Sequence, residues 1–594
     1  MQFRVLKLRF RRQVRKGQRQ VEDFSQQAET QIESQLFDRF ARLHAVRRFI
    51  IAWILLFVIL IGVTIWQLNG LATYYQTLEP TPGGIYTEGI LGDFTNANPV
   101  FATNDVDSAV AKLVFAGLLQ YDSHNHLTGD LAQSWTANDT GTIYTVNLKP
   151  NLTWQDGQPL TAADVAFTYQ VIQNPDAQSP LQNSWRGITV TAVNPQQVRF
   201  TLPNALSSFP YEMTNGIIPK HLLGTVAMTD MRSTAFNTQN PIGAGPFEWK
   251  TLQVTGDTPA DREEQIALSP FAKYNSGQPK LDSFVVHAFH DQNKMIASYN
   301  KSELTAMSGL TTVPASVAKD KANQKVSFNL TAAKMVFFKT TEPNLQDATV
   351  RQALVSSVNV PAIIKQLSYP ARPVREPFLV GQLGYDPAYA QAGFDAAGAA
   401  QKLTAAGWTP GKDGIRQKNN KPLHFTLYAE NDPEDTMVAN TIVNDWHKVG
   451  VQAELLLQDG TDLQQTVASH SYDAVMYGIS IGVDPDVFVY WDSSQADIRA
   501  ANRLNLSEFS SGAADAALEG GRTRQVPSLR VIKYKPFLQA WQQSAPALGL
   551  YQPRYLYITR QTVYHLDPRT INNSVDRFSN VQDWELHQAE VTHN

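Results

Sequence analysis

The strongest feature in the hydrophobic pattern is a stretch where polar positions vanish. Phe49 to Leu68, "FIIAWILLFVILIGVTIWQL", carries no formal charge. About 20 residues at about 1.5 Å each reach about 30 Å, the hydrocarbon thickness of a bilayer, so this run predicts a membrane-crossing helix. Before it, Val21, Phe24, Ile32, Leu36, Phe40 and Leu43 recur at roughly helical spacing and predict a helix leading into the membrane. After it, Pro80, Pro82 and the Gly83-Gly84 pair punctuate a linker over 69–83.

Beyond the linker, apolar and polar positions alternate in short blocks. "GIYTEGILGDF" and "QVRFTLPNA" read as strands, and "DVDSAVAKLVFAGLLQYD" as an amphipathic helix. "TAADVAFTYQVI" opens with Thr161 and, three residues on, Asp164, a capping box that starts a helix with Ala166, Tyr169 and Val171 on its buried side. Further on, "LQDATVRQALVSSVNVPAIIKQL" is a helix that restarts at Pro361, and "AAGAAQKLTAAGW" is a helix closed by Gly407. "LHFTLYAEND", "MVANTIVNDWHKVG", "VQAELLLQ" and "YDAVMYGI" then run strand–helix–strand–strand, the pattern of an α/β lobe.

Composition narrows the picture. At 594 residues the chain exceeds one core, so several domains are expected. With no cysteine, disulfides, thiolate metal sites, cysteine nucleophiles and a lipidated cysteine anchor are all excluded. The net charge of −4 hides an asymmetry: residues 1–68 hold 12 of the 50 Lys/Arg and 5 of the 54 Asp/Glu. The remainder is therefore acidic, and no Lys or Arg follows the apolar run until Lys112. The positive-inside rule places the N-terminus in the cytoplasm and the large acidic part outside, a single-pass protein of the cell membrane. A cleaved signal peptide fits less well: 48 residues precede the apolar run, the run exceeds about 7–15 residues, and no A-x-A site follows. The basic stretch "FRVLKLRFRRQVRKGQR" suits either contact with anionic lipid or a solvated tail that sets topology.

Candidate chemistry concentrates in "YGISIGVDPDVFVYW", residues 477–491. Gly478-Ile479-Ser480-Ile481-Gly482 spells the G-x-S-x-G of a nucleophile elbow, which needs a helix directly after the serine. Here Asp484 reads as an N-cap, Pro485 as the first helical residue and Asp486 as a first-turn acid, so the helix is expected too late for Ser480. A serine hydrolase is thus the lesser alternative. His287 and His290 with Asp291 are spaced H-x-x-H, but on a strand the rings point to opposite faces. "GWTPGKD" lacks the spacing and the Ser/Thr of a phosphate loop. Catalytic residues, metal, cofactor and nucleic acid are not expected. Trp154, Trp185, Tyr477, Tyr490 and Trp491 are either lining for an apolar cavity or core.

Several stretches together resemble one family. "VFAGLLQYDSHNHLTGDLAQSW", "YTVNLKPNLTWQDGQPLTAADVAFTYQ", "NPIGAGPFEW", "VRQALVSSVN", "AQKLTAAGW", "YDAVMYGISIGVDPDVF" and "ALGLYQPRYLYI" stand in the order found in extracytoplasmic solute-binding proteins of peptide- and nickel-type ABC transporters. The resemblance covers roughly 84–594. It implies an α/β fold, a two-lobed periplasmic-binding-protein-like clamshell with an extra subdomain, behind the single transmembrane helix. The first lobe would be 84–115, 205–330 and 541–594, the extra subdomain 116–204 and the second lobe 331–540, with 1–48 cytoplasmic and 49–68 in the membrane. The implied function is a non-enzymatic receptor that delivers a small-molecule or peptide ligand to permease subunits. By the same resemblance the ligand contacts are Thr103, Asn104 and Asp105 on one side and Tyr477, Gly478, Ile479, Ser480, Ile481 and Asp484 on the other. Peptide binders carry an aspartate three residues before the Asp/Glu-Pro pair, which clamps the ligand's α-ammonium; here that position is Ile481. Asp105 or Asp484 would take over the task, or the ligand is a sugar, an opine or another solute without a clamped amine. A further alternative is a clamshell that signals through its cytoplasmic helix without transport.

Overall fold

The computed structural model describes residues 47–256, 258, 262–320, 323–367, 369–500, 503–566 and 569–592; the helix expected over 21–43 lies outside them. The described residues fall into two units, one up to Glu79 with those from Gln588 on, the other Pro80–His587.

The first unit contains a 29-residue helix, Arg47–Tyr75. Its window Arg47–Leu68 is long and apolar enough to cross a membrane, and none of it is buried against protein. The helix continues past Leu68, where a linker was expected, and a strand, Gln76–Thr81, follows. Asn69-Gly70 alone does not stop it, because a helix with no proline keeps its backbone hydrogen bonds; the first proline is Pro80.

Among the described residues the second unit holds three larger sheets, with a small three-stranded sheet and a two-stranded one beside them. The eight-stranded sheet runs Thr570–Ile571, Gln324–Leu330, Arg554–Thr559, Ala306–Leu310, Ile85–Leu91, Ser283–Phe289, Glu263–Pro270, Phe247–Thr255. The five-stranded sheet runs Gln452–Gln458, His424–Glu430, Ala474–Ser480, Ala332–Phe338, Ala547–Tyr551. The four-stranded sheet runs Ala132–Ala137, Ile143–Leu148, Gln197–Thr201, Thr189–Asn194. The chain passes from the first sheet to the second at Thr331 and returns between Tyr551 and Arg554. That return is later than the expected 541: Ala547–Tyr551 pairs antiparallel with Ala332–Phe338, and its all-buried side chains suit a strand covered on both faces.

Burial follows the pattern of the sequence. Ile143–Leu148 alternates half-buried and buried, as a strand covered on one face must. Ala332–Phe338 is buried at six of seven positions, because apolar cores cover both faces of the five-stranded sheet. His424–Glu430 and Gln452–Gln458 are parallel and joined by the helix Pro433–Lys448, a βαβ unit. The capping box at Thr161 and Asp164 is present, the Thr161 N–H donating to Asp164 Oδ2 at 2.8 Å. Ala166, expected on the buried side, is half-exposed. The helix after Asn104 ends at Val114, short of the expected stretch to Asp122. Glycines of "NPIGAGPFEW" pack onto that end: a Cβ at Gly243 would meet the Val114 carbonyl oxygen at 1.9 Å, and the Gly245 N–H donates to it at 2.8 Å. Trp154, Trp185 and Trp491 are wholly buried, so they are core and not cavity lining.

An ion pair lies inside the eight-stranded sheet's core. Glu88, fully buried, accepts from Arg577 Nη2 at 2.6 Å, Ser308 Oγ at 2.8 Å and the Tyr557 hydroxyl at 3.0 Å. Burial pushes the Glu88 carboxyl up, and the Arg577 charge opposes it.

Candidate functional site

The Ala474–Ser480 strand sets one wall of the cleft between the two larger sheets. It pairs with Ala332–Phe338 along its whole length, from Ala474 opposite Phe338 to Ser480 opposite Ala332. On its other side His424–Glu430 pairs only at Leu427–Ala474 and Tyr428–Val475. Among the described residues, no strand pairs with that edge beyond Val475. The Ile481 and Gly482 N–H groups both donate to the Thr331 carbonyl, at 2.9 and 3.0 Å. Because backbone direction alternates along a strand, the main-chain groups of Gly478 and Ser480 face the open edge. Gly478 is exposed, and a Cβ there would meet nothing closer than Lys334 Cδ at 4.0 Å. Tyr477 is half-buried, and Ile479 and Ile481 are buried in the core of that face. These two therefore present neither side chain nor main chain to the open edge: their side chains enter the core and their main-chain groups face the Ala332–Phe338 side.

Ser480 is exposed on the strand, with Tyr490 donating its hydroxyl to the Ser480 carbonyl at 2.5 Å. The next helix is Phe488–Trp491, later than the expected start at 485. Asp484 caps no helix; its carboxylate takes a bidentate pair from Arg530 at 2.6 and 2.6 Å, both side chains buried. Asp486 binds Arg522 at 3.1 Å and accepts from Ser208 Oγ at 3.1 Å. The local reading of Asp-Pro-Asp as a helix start at 485 loses to these ion pairs: the desolvated Arg530 takes the Asp484 carboxylate, while Asp486, besides Arg522 and Ser208, accepts from the Phe488 N–H at 3.4 Å, where the short helix begins. Among the described residues, neither a base at the Ser480 hydroxyl nor a following helix N-terminus forms an elbow.

On the opposite wall Thr103 and Asp105 are exposed. Asn104 caps the helix Asp105–Val114, accepting from the Asp107 N–H at 2.8 Å and donating to Asp107 Oδ2 at 2.9 Å. Asp105 accepts from Ser574 Oγ at 2.8 Å. One short segment ties both walls together: Thr331, which receives Ile481 and Gly482, donates its hydroxyl to Asn572 Oδ1 at 2.7 Å, two residues from Ser574. The structure thus places the two expected stretches on one scaffold. Tyr121 feels charges from both sides: burial, then Asp576, raises its hydroxyl, with Tyr211, Glu212 and Asp484 adding to the effect.

The walls also touch. The Ser207 N–H donates to the Arg522 carbonyl at 2.9 Å, and Tyr144 donates to Gln525 Oε1 at 3.3 Å. Arg522 lies 4.2 Å over the Phe488 ring. A crevice of about 690 Å³ runs beside these contacts, between Leu202 and Leu206 on one side and Phe488, Asp515 and Arg522 on the other. Arg522, Arg530, Ser574, Thr331 and Glu212 carried no signal in the sequence, since their partners lie far along the chain. His287 and His290 do not meet: His287 faces Glu263 at 3.1 Å and His290 faces Asp93 at 3.2 Å. Together, an open strand edge and a touching pair of walls suit capture of a solute.

Comparison with known proteins agrees. Residues 126–499 match the family described as bacterial extracellular solute-binding proteins, family 5 Middle. The oligopeptide-binding protein AppA of Bacillus subtilis is 25% identical over 522 residues, 82% of this chain and 92% of that protein. Among solved structures, NikZ of Campylobacter jejuni in complex with Ni(L-His) superposes with a TM-score of 0.70 at 24% identity, covering 84% of this chain and 99% of NikZ. AppA of Bacillus subtilis in complex with a nonapeptide superposes with a TM-score of 0.67 at 23% identity, covering 86% of this chain and 100% of AppA. With the family matched across more than half its length, this chain belongs to the family 5 bacterial extracellular solute-binding proteins, a group of two-lobed receptors rather than enzymes.

Proposed function

We propose that this chain is a membrane-tethered receptor that captures peptides between its lobes and passes them to an ABC permease, performing no chemistry itself. The observation that carries the reading is the open edge of Ala474–Ser480, with Gly478 presenting unpaired main chain to the cleft. An extended peptide added there gains main-chain hydrogen bonds whatever its side chains, which suits sequence-tolerant binding. In this reading the first lobe comprises 84–115, 205–330 and the chain after Tyr551, the extra subdomain 116–204, and the second lobe 331–551. Thr103, Asn104, Asp105, Tyr477, Gly478 and Ser480 line the cleft, and Asp484 acts through Arg530 as support. The helix Arg47–Tyr75 anchors the receptor with its N-terminus in the cytoplasm, in line with the basic residues before the apolar run.

Native mass spectrometry of the full chain in detergent, before and after mild denaturation, tests the ligand. Co-released peptides of several lengths are the expected result, and a single non-peptide mass would replace peptide by another solute. That second reading is favoured by one feature, the apolar Ile481, which leaves the strand without a carboxylate for an amine. Orientation is tested by single cysteines in this cysteine-free chain: a membrane-impermeant maleimide should label Gln133→Cys, at an exposed position, and spare Gln18→Cys. The reverse labelling would invert the topology.

A further inference from the structure

Four carboxylates near the meeting of the walls are occupied. Asp105 is held by Ser574, Asp484 by Arg530, Asp486 by Arg522 and Ser208, and Asp576 by the N–H groups of Asn572 and Asn573. Glu212 is different. It ends the turn Phe209–Glu212, which is pinned at one end by Phe209, buried against the rings of Tyr144 at 4.9 Å and Trp185 at 5.5 Å. Next to that turn Ser208 reaches across to Asp486, and within it Tyr211 stacks on Tyr121 at 6.3 Å. The Glu212 carboxylate is half-buried at this junction, and among the described residues no N–H, hydroxyl, lysine or arginine hydrogen-bonds to it. Burial, then the like charge of Asp486, pushes its carboxyl above the ordinary range.

A half-buried carboxylate near the like charge of Asp486, with no cation bonded to it, gains little in folding from its charge. The same carboxylate becomes favourable when a cation enters the cleft and pairs with it. We propose that Glu212 is the anion that receives a cationic nitrogen of the bound ligand, on the turn that also carries the Ser208 contact between the walls. The inference rests on the peptide-receptor reading above and adds its specificity: peptides offering an ammonium or guanidinium at this point bind, and neutral ones are disfavoured. The nitrogen comes from the peptide N-terminus or from a Lys or Arg side chain.

The test is affinity selection with mass-spectrometric readout, using the full chain in detergent against a mixed pool of tri- to nonapeptides and the same pool N-acetylated. Wild type should enrich free peptides over acetylated ones, and Glu212→Gln should lose that preference by about 30-fold, the size seen when one partner of a desolvated charge pair is removed. Glu212→Asp should keep most of it. The empty Glu212→Gln protein should melt no lower than wild type, which separates a lost ligand contact from a damaged fold. Loss on acetylation for all peptides assigns the nitrogen to the N-terminus; retention by Lys- and Arg-containing acetylated peptides assigns it to the side chain, and both support the proposal. Equal enrichment by wild type and Glu212→Gln overturns the role of Glu212 and leaves the receptor reading intact. No enrichment of either pool by wild type overturns both.

Discussion

Glu376 offers a pH-dependent test of the fold beside the binding edge. It is fully buried, and neither carboxylate oxygen has a hydrogen-bond partner of good geometry. Burial pushes its carboxyl up from 4.5 to about 8, the Asp386 N–H opposing this and the Asp386 charge adding to it. The sign follows from which state holds the proton. Below the unfolded value of 4.5 both states are protonated and Glu376 contributes no pH dependence. Between 4.5 and about 8 the native state keeps a proton that the unfolded chain releases, so stability falls as pH rises, by at most about 1.4 kcal/mol per pH unit. Above about 8 both are ionised, and the accumulated loss is about 5 kcal/mol, an upper bound because local opening relieves part of it. Glu376→Gln removes this slope. Urea unfolding of the full chain in detergent, followed by tryptophan fluorescence from pH 4.5 to 9, should give curves that nearly coincide at the acid end and separate with rising pH, the variant being more stable. Parallel curves for wild type and variant would refute the reasoning, since they would mean that Glu376 titrates as it does in water. The matter reaches the cleft: Gln382, six residues on, donates to the Gly482 carbonyl at 2.7 Å, so a loosened segment should also weaken ligand capture at alkaline pH.

Other changes probe single contacts. Gly478→Pro removes an N–H that faces the open edge, so ligand capture should fall at least about tenfold by the same affinity selection while the melting temperature stays near wild type, proline being tolerated on edges. Arg530→Met leaves Asp484 buried and unpaired and should cost about 3–5 kcal/mol in urea unfolding, and adding Asp484→Leu should recover part of it. Arg577→Met strands Glu88 in the same way, with a loss of similar size and no recovery from added salt, because the pair is shielded from solvent. Arg522→Ala removes both the Asp486 pair and the cover over Phe488, and small-angle scattering in detergent should show a larger radius for the empty protein; an unchanged radius would show that these contacts do not hold the walls together.

How far the sequence is informative depends on the range of each interaction. The apolar run after Arg48, the Thr161–Asp164 capping box, the restart at Pro361 and the closure at Gly407, with its φ of +86°, are local, written in residues within one or two turns of each other, and the structure contains them. The ordered set of motifs likewise made the family legible. The site was legible only as a place. Residues 477–481 and 102–105 could be nominated, but not the fact that Ile481 turns into the core or that Asn104 is spent on a helix cap.

Where the local reading failed, a distant partner had won. Asp484 and Asp486 look like a helix start in every neighbouring residue, yet Arg530 stands 46 positions away and takes the first of them. The return of the chain was expected at 541, but Ala547–Tyr551 completes the second sheet because its strand edge is satisfied there. Asp105 meets Ser574 across 469 positions, and Glu212 is conspicuous because no side chain among the described residues pairs with its carboxylate. Helix starts, strand alternation and a membrane run are set by periodicity and backbone chemistry, which a sequence carries on its face. Which charges are paired and which carboxylate is left for a ligand depends on desolvation and on contacts closed by folding, and these exist only once the chain has packed.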